Sequence, residues 1–385
     1  MKRLLGIMAV ILTYLCLSTA HAEPYLAAWK GVNCNACHMN ETGGYLRNDF
    51  GRNYGNDLKT FDWQGIAETA QAFTHKTPTF ISAGVDIHES FGALFMPAPT
   101  GTLASFNPNS PFVPLGRQSF SIGIKANEAI SGVFTYRLDI NSPTEAYGLI
   151  SGLPEDAYIK LGRFTTPYGL QLADDNSLVR GDLSRTNALT FNNPFFSTDG
   201  VEVGIYPGIF FLNAAAFNDP AASNDKDFSA KGGINLKEVT LGGSIYDQNT
   251  PNGVAGQYGT NLRYGAFGWT HLGPFVILGE FDSGYDTVSS VSLAAIPQNN
   301  YTAYHASVEV DLGKDMYLRF VNEYLTDTNL NANFDGFRDV ISFRCYPVRN
   351  LKCQLDVQRM DPTTGSTNYG SGPYYGTVLD AYVFY

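Results

Sequence analysis

The stretch Thr79–Ser90, TFISAGVDIHES, alternates apolar and polar side chains with a period of two residues. From Ile81 to Ile87 the odd positions are apolar, and from Ser82 to His88 the even positions are small or polar. This period is typical of a β-strand with one apolar face. The stretches SFSIGIKANE, ASVEVDLG and LKCQLDVQRMD repeat the pattern further along the chain. A water-soluble β-sandwich alternates in the same way, so the period alone predicts strands and not their surroundings.

The connections between the alternating stretches are of two kinds. Tight turns such as KANEAI, GLPED and HLGPF alternate along the chain with long polar loops. The one exception is NSPT, a short connection at a position where the alternation predicts a long loop. Short periplasmic turns alternating with long external loops are typical of outer-membrane barrels. The predicted long loops are 90–114, 166–198, 218–228, 248–260, 286–299, 327–335 and 361–375.

The strands between these connections number about sixteen, the even count that one-chain bacterial barrels have. The fold class predicted is therefore all-β, a transmembrane antiparallel barrel over 77–385 in the outer membrane, surrounded by lipid. The predicted strands are 78–89, 116–126, 130–140, 144–151, 156–165, 199–206, 209–217, 229–236, 239–247, 261–271, 275–285, 300–311, 316–326, 336–346, 351–360 and 376–385.

Composition agrees with a membrane barrel. The chain is 14% aromatic and only 16% charged, and beyond its first residues it has no long apolar run. Its final stretch, LDAYVFY, resembles the terminal strand by which outer-membrane proteins are recognised for assembly; the alternative is an ordinary end strand of a secreted sandwich. The formal net charge of −11 makes nucleic acid a poor partner, and we predict none.

The first 22 residues have the features of a signal peptide. Lys2 and Arg3 precede an apolar run, and Ala20-His21-Ala22 fits the A-x-A cleavage pattern. The alternative, an uncleaved membrane helix, needs about 20 apolar residues and the run is shorter. Export places the remaining cysteines in an oxidising compartment.

The segment 23–76 contains Cys34, Cys37 and His38 in the order C-x-x-C-H, which is a haem-attachment signal. The two thiols add to the haem vinyl groups and the histidine becomes an axial ligand, so we predict one covalent haem c. Competing interpretations are a redox pair, a zinc site and a lone disulfide. A redox pair is expected near a βαβ pattern, and a zinc site needs a second ligand pair; the sequence shows neither. A segment this small is expected to lie in the barrel mouth or lumen, which would complete its core.

The second axial ligand is left open by the sequence. His75 in the linker before the first strand is the candidate retained. Met39 directly follows His38 and cannot reach the opposite face of the same iron. The other histidines considered are His88, His271 and His305.

Cys345 and Cys353 lie on either side of the predicted turn YPVRNL. In a simple hairpin they face each other, and cross-strand neighbours are close enough for a disulfide. We predict a structural disulfide at the periplasmic rim, with two unpaired thiols or a metal or redox pair as alternatives.

Three stretches resemble known proteins. AEPYLAAWKGVNCNACH resembles the opening of the porin–cytochrome fusions of iron-oxidising bacteria. CHMNETGGYLRNDFG is similar to the opening of single-haem barrel proteins of metal-cycling bacteria, and KLGRFTTPYGLQLADDNSLVR to a strand-and-loop segment of many porins. The resemblance implies a sixteen-stranded barrel with thioethers at Cys34 and Cys37 and His38 as proximal ligand. The chain departs at Trp29-Lys30, where the iron-oxidising fusions favour R-Q-T.

These features predict an electron-transfer protein. A sixteen-stranded barrel leaves an aqueous passage, with Arg163 and Arg180 as candidate pore-lining charges. Electrons would pass between an external donor such as Fe(II), or a mineral, and a periplasmic c-type cytochrome or other redox carrier. If the chain is an enzyme, it is an Fe(II)-oxidising oxidoreductase; the sequence contains no recognisable hydrolytic or phosphate-binding set. The alternatives are a diffusion porin with a haem-bearing plug or sensor, and the same conduit running outward.

Overall fold

The structure is a computed structural model that describes sixteen antiparallel strands closed into one barrel. Each strand pairs with the next along the chain, and β1 pairs with β16 to complete the ring. The described residues are 24–32, 36–40, 46–48, 50–51, 54, 58, 80–95, 117–138, 141–170, 177–180, 197–219, 222–251, 258–287, 298–327, 336–348, 350–362 and 373–384. The predicted signal peptide, Cys34 and His75 lie outside them.

The elements follow one another in simple order. Helix α1 covers Pro24–Lys30 in the amino-terminal segment and precedes all the strands. The strands are β1 Ile81–Phe95, β2 Arg117–Lys125, β3 Ile130–Arg137, β4 Ser142–Leu153, β5 Ala157–Thr165, β6 Ser197–Ile205, β7 Phe210–Asp219, β8 Ala222–Asn235, β9 Val239–Pro251, β10 Tyr258–Leu272, β11 Phe275–Thr287, β12 Gln298–Gly313, β13 Met316–Asp327, β14 Gly336–Val348, β15 Leu351–Pro362 and β16 Tyr374–Phe384.

All sixteen predicted strands are confirmed, with their ends displaced by a few residues. One connection is wrong: β7 ends at Asp219 and β8 begins at Ala222, so 218–228 is not a long loop. β1 and β9 also continue into residues that the sequence pattern assigned to loops. The polar character of these residues favours loops, but a ladder of backbone hydrogen bonds continues wherever the facing strand continues.

The two faces of each strand have reversed exposure relative to a soluble protein. In β14, Phe337, Ile341 and Phe343 are exposed on the outside, while Arg338 and Arg344 on the alternate face are buried. Because the side chains of a strand alternate, the charged set points into the barrel. The outer face is the apolar surface that a lipid-facing barrel requires.

Arg163 belongs to the outer set, so the prediction that it lines the pore is wrong. It follows Ile159 and Leu161 at odd positions of β5, and both of these are exposed. Arg163 instead makes a two-pronged ion pair with Asp199 of β6, at 2.9 and 2.8 Å. The side chain of Arg180 lies outside the part described.

One end of the barrel is defined by tight turns. Between β12 and β13, Lys314 and Asp315 have φ of 54° and 55°. Two successive central residues with positive φ form the turn that matches the twist of a hairpin. β1 begins at this end and β16 finishes there; we call it the turn end. No helix among the described residues is both long and apolar enough to span a membrane.

Candidate functional site

The amino-terminal segment lies against the inner wall of the barrel. We call its described residues between Pro24 and Leu58 the plug segment. Helix α1 begins at a proline, which suits the first turn because that position needs no N–H donor. It ends before Gly31, whose φ of 63° suits a helix terminus. A Cβ at Gly31 would lie 2.6 Å from the carbonyl oxygen of Lys237, so glycine also allows the close approach to the β8–β9 turn.

Tyr25 and Trp29, one helical turn apart, attach α1 to strand β12. The Tyr25 hydroxyl is 3.2 Å from Ser307 Oγ and 3.5 Å from His305 Nε2. The Trp29 indole N–H donates to Glu309 Oε1 at 2.7 Å. Residues four apart on a helix share a face, so the whole of this face contacts the wall.

Cationic side chains of β13 and β14 complete this first contact. Arg344 donates to the same Glu309 oxygen at 2.6 Å. The Arg344 guanidinium lies 4.7 Å from the centre of the Tyr317 ring, and the Arg319 guanidinium lies 4.9 Å from that of Tyr25. Stacking of cations on aromatic rings is stronger where water is excluded, as in this buried cluster.

The second contact lies on the other side of the barrel. Met39 and Leu46 are buried in an apolar cluster with Val133 and Tyr147 of the inner wall. Gly123 of β2 makes room for them, because a Cβ there would lie 2.6 Å from Leu46 and 2.8 Å from Met39. The plug segment therefore contacts strands from β2 round to β14.

The attachment motif lies between the two contacts, and its backbone is held by a short return of the chain. His38 forms an antiparallel bridge with Arg47, and Met39 N donates to Leu46 O at 2.9 Å. Asn48 N donates to Cys37 O at 3.1 Å. A Cβ at residue 51 would lie 2.0 Å from Cys37 O, so the glycine there permits the return.

The donor set fits a covalently attached haem as far as it is described. Cys37 is partly exposed, and the adjacent His38 is only 6% exposed. A thiol and a neighbouring imidazole on a fixed backbone are the groups that thioether attachment and axial ligation need. Cys34, the other thioether residue, lies outside the described part of the chain. Nowhere in that part are three or more His, Cys, Asp or Glu side chains grouped to hold a metal ion.

Three of the four histidines considered as the second axial haem ligand lie in the described part of the chain. His75 lies outside the described residues. His88 faces the lumen and contacts Asp380 at 3.1 Å. His271 lies at the turn end, with its ring 4.9 Å from that of Trp29, and His305 is 2.7 Å from Glu323.

Cys345 and Cys353 are direct partners across β14 and β15. The hairpin register predicted from their spacing is confirmed, and both thiols, partly buried, lie on the outward face. Their sulfurs are not joined in this structure, so the disulfide stays a prediction.

A second inward element comes from the connection between β5 and β6. We call residues 166–170 and 177–180 the inward loop. Tyr168 is fully buried and donates to Asp282 at 3.0 Å, and Leu170 N donates to Glu280 at 3.0 Å. Burial, with the Asp282 carboxylate beside it, raises the pKa of the Tyr168 phenol. The sequence pattern predicts an external loop here; polar side chains of the opposite wall hold part of it inside.

The plug segment and the inward loop meet at one buried ion-pair network. Glu323 of β13 accepts hydrogen bonds from Ser177 Oγ and Leu178 N of the loop. It also pairs with Arg338 at 2.8 Å and with His305. Because His305 also lies beside Tyr25, a chain of polar contacts runs from the plug segment to the loop.

The sequence analysis missed Tyr25, Trp29 and Asn40 as wall contacts. The i, i+4 spacing of two aromatic residues in YLAAW was an available signal for a helical face. Nothing local indicates Asn40, which touches residues more than a hundred positions away.

Solved structures share this barrel. The chain resembles OmpT, an outer membrane protein of Vibrio cholerae, in a form lacking loop L8 (TM-score 0.56, 13% identity, covering 79% of this chain and 99% of that one). It also resembles the outer membrane channel DcaP of Acinetobacter baumannii (0.57, 12%, 79% and 97%) and an anion-selective porin from Comamonas acidovorans (0.57, 9%, 79% and 100%). No family model and no curated protein matches the chain.

These likenesses establish the fold, a sixteen-stranded porin-type barrel of the kind found in outer-membrane channels. They extend over nearly the full length of each neighbour and leave about a fifth of this chain unmatched. The part that precedes β1 has that same share of the length. At this level the prediction of an outer-membrane barrel is confirmed, and the cytochrome half of the resemblance receives no support from the comparisons.

Proposed function

We propose that the chain is an outer-membrane channel barrel closed by its own plug segment, and that this segment carries one covalent haem c. The observation that carries the proposal is the ring of contacts from the plug segment to the inner wall. Hydrogen bonds and packing reach β4 and β5 on one side and β12 to β14 on the other. An open diffusion pore needs no such set of partners.

The haem would be held by Cys34 and Cys37 through thioethers and by His38 at the iron. When bound, it supplies a one-electron centre that alternates between Fe(III) and Fe(II). The residues of the chain keep His38 buried, and the Asn48 side chain fixes the backbone of this stretch by donating to the carbonyl oxygens of Ala36 and His38.

The charge of the lumen predicts which solutes an open form would accept. Among the described buried wall residues, ten are carboxylates and six are Lys or Arg. An excess of one charge in a low-dielectric channel concentrates ions of the opposite sign. A barrel from which the plug segment has moved is therefore expected to prefer cations.

An electron conduit is the second candidate function. The observation in its favour is the burial of His38 in the segment that lies against the inner wall, since an electron path across the apolar belt needs a redox centre inside the barrel. A periplasmic c-type cytochrome would be the inner partner, and an extracellular metal ion or mineral the outer one. The direction of electron flow would follow the reduction potentials of the partners, so the same architecture would serve electron export and electron import.

The experiment uses the full chain, purified from outer membranes of a host that attaches haem c. A haem-peroxidase stain after denaturing electrophoresis, lost when Cys34 and Cys37 are both replaced by alanine, supports covalent haem; a negative stain of the parent protein overturns that part. Low conductance in planar bilayers supports the plugged barrel, and large steady pores refute it. Rapid reduction of the haem by Fe(II) added outside favours the conduit, whereas a haem inert to external reductants favours the plug alone.

A further inference from the structure

The buried polar network around Lys160 has one member that does not belong to the barrel. Lys160 is fully buried on β5 and donates to Glu202 at 2.9 Å. Glu145 on β4 is equally enclosed and accepts from Thr135 at 3.1 Å. Asn40 of the plug segment contacts both groups.

Asn40 meets the base and the acid with opposite ends of one amide. Its oxygen accepts from Lys160 Nζ at 2.7 Å, and its nitrogen donates to Glu145 Oε1 at 2.9 Å. Among uncharged side chains, an amide is the kind that offers a carbonyl acceptor and N–H donors at fixed spacing. A buried charge that loses a hydrogen-bond partner is strongly destabilised, so this bridge is worth more than a surface contact.

Asn40 is close enough to His38 in the chain for its hydrogen bonds to restrain the motif. It lies two residues after His38, and Met39 between them is buried in the apolar cluster of the wall. Successive residues at 38, 39 and 40 thus connect the motif to a packed surface and then to a specific polar pair. Once Met39 is packed and Asn40 is hydrogen-bonded, the His38 imidazole can adopt few positions relative to the wall.

Resting on the plug segment and haem proposed above, we propose that Asn40 is the positioning residue that docks the attachment motif at a fixed place on the inner wall. Lys160 and Glu145 form its receptor. In a barrel without this docking the same two residues would face the lumen as an unbridged charged pair.

The test compares trypsin cleavage after Arg47 in the full-length protein in detergent. For Asn40→Leu we expect cleavage about tenfold faster or more, from loss of hydrogen bonds to charged partners. Gln354→Leu is the matched control, because that side chain is also a buried amide of the inner wall but donates to Asp356. Parental cleavage in Asn40→Leu, or equal acceleration in the control, overturns the proposal.

A charge-compensating pair separates positioning from general destabilisation. Asn40→Asp keeps an acceptor for Lys160 but places a second carboxylate beside Glu145, so cleavage should accelerate. Adding Glu145→Gln restores a donor, and the rate should return to within about threefold of the parent. If this rescue fails, the proposal is overturned. If Asn40→Leu does not give the heat-modifiable band of a folded barrel, the comparison of Asn40→Asp with Asn40→Asp/Glu145→Gln replaces it as the test.

The haem provides the readout that a merely structural role would not move. The absorbance spectrum and midpoint potential of the loaded protein should change in Asn40→Asp and recover in the rescued pair. Unchanged values in Asn40→Asp refute positioning even if cleavage accelerates. If the chain has no covalent haem, the haem proposal is refuted. The docking of Asn40 is still tested, because the cleavage assay does not depend on haem.

Discussion

Replacing Trp29 with phenylalanine tests how firmly α1 is docked. The change removes the indole N–H that donates to Glu309 Oε1 at 2.7 Å, and it keeps an aromatic ring near His271 and Tyr317. A hydrogen bond to a charged group contributes about 1.5–3 kcal/mol. Arg344 still pairs with Glu309, so the carboxylate is not left alone and the lower figure applies. About 1.5 kcal/mol corresponds to roughly a tenfold larger population of the undocked helix.

The assay is trypsin cleavage after Lys30, the last residue of α1, in the full-length protein in detergent. When opening and closing are faster than cleavage, the cleavage rate follows the undocked population. Trp29→Ala also removes the ring contacts, and we expect about 3 kcal/mol in total, or roughly a hundredfold acceleration.

Tyr304→Phe is the matched control for this series. It deletes one aromatic hydrogen bond, to Asn322 at 2.7 Å, on the outer face of the barrel. Cleavage at parental rates in both Trp29 variants would refute the docking of α1 on Glu309. Equal acceleration in Tyr304→Phe would show that loss of barrel stability, not undocking, is being measured.

Three further predictions concern other parts of the chain. Cys345 and Cys353 should resist alkylation before reduction and react after it, and mass spectrometry would show two labelled thiols from the start if no disulfide forms. Replacing both Cys34 and Cys37 with alanine should abolish peroxidase staining while the barrel still gives its heat-modifiable band, whereas persistent staining would exclude thioether attachment at this motif. Burial, with the Asp315 carboxylate nearby, raises the pKa of Tyr54 from 10.0 to about 12. The neutral phenol is therefore favoured by docking, a contribution fully present below pH 10 and lost as pH rises towards 12; a difference in tyrosinate absorbance between the parent and Tyr54→Phe with its midpoint near pH 10 would contradict this.

The strands were predictable because their signals are local. Alternation in 79–90 needs only neighbouring residues, and a turn such as HLGPF carries its own glycine and proline. The hairpin from Asp219 to Ala222 was missed because its strands are polar there, and pairing with a facing strand outweighs side-chain polarity.

The candidate site was predictable only as a motif. The order of Cys34, Cys37 and His38 indicates the chemistry without any fold. The partners of the segment could not be foreseen, since Asn40 meets Lys160 across 120 positions of sequence. No periodicity encodes such a contact.

The sequence by itself determined that this chain forms a barrel with two unlike faces and has a C-x-x-C-H motif before it. Each of those properties follows from residues next to one another, through strand alternation and through the spacing of two thiols and an imidazole. Only the tertiary structure decided what fills the barrel. Closure of β1 on β16 brings charged side chains from distant strands around one enclosed space, and buried charges there require partners. Asn40, Trp29 and the inward loop meet that requirement.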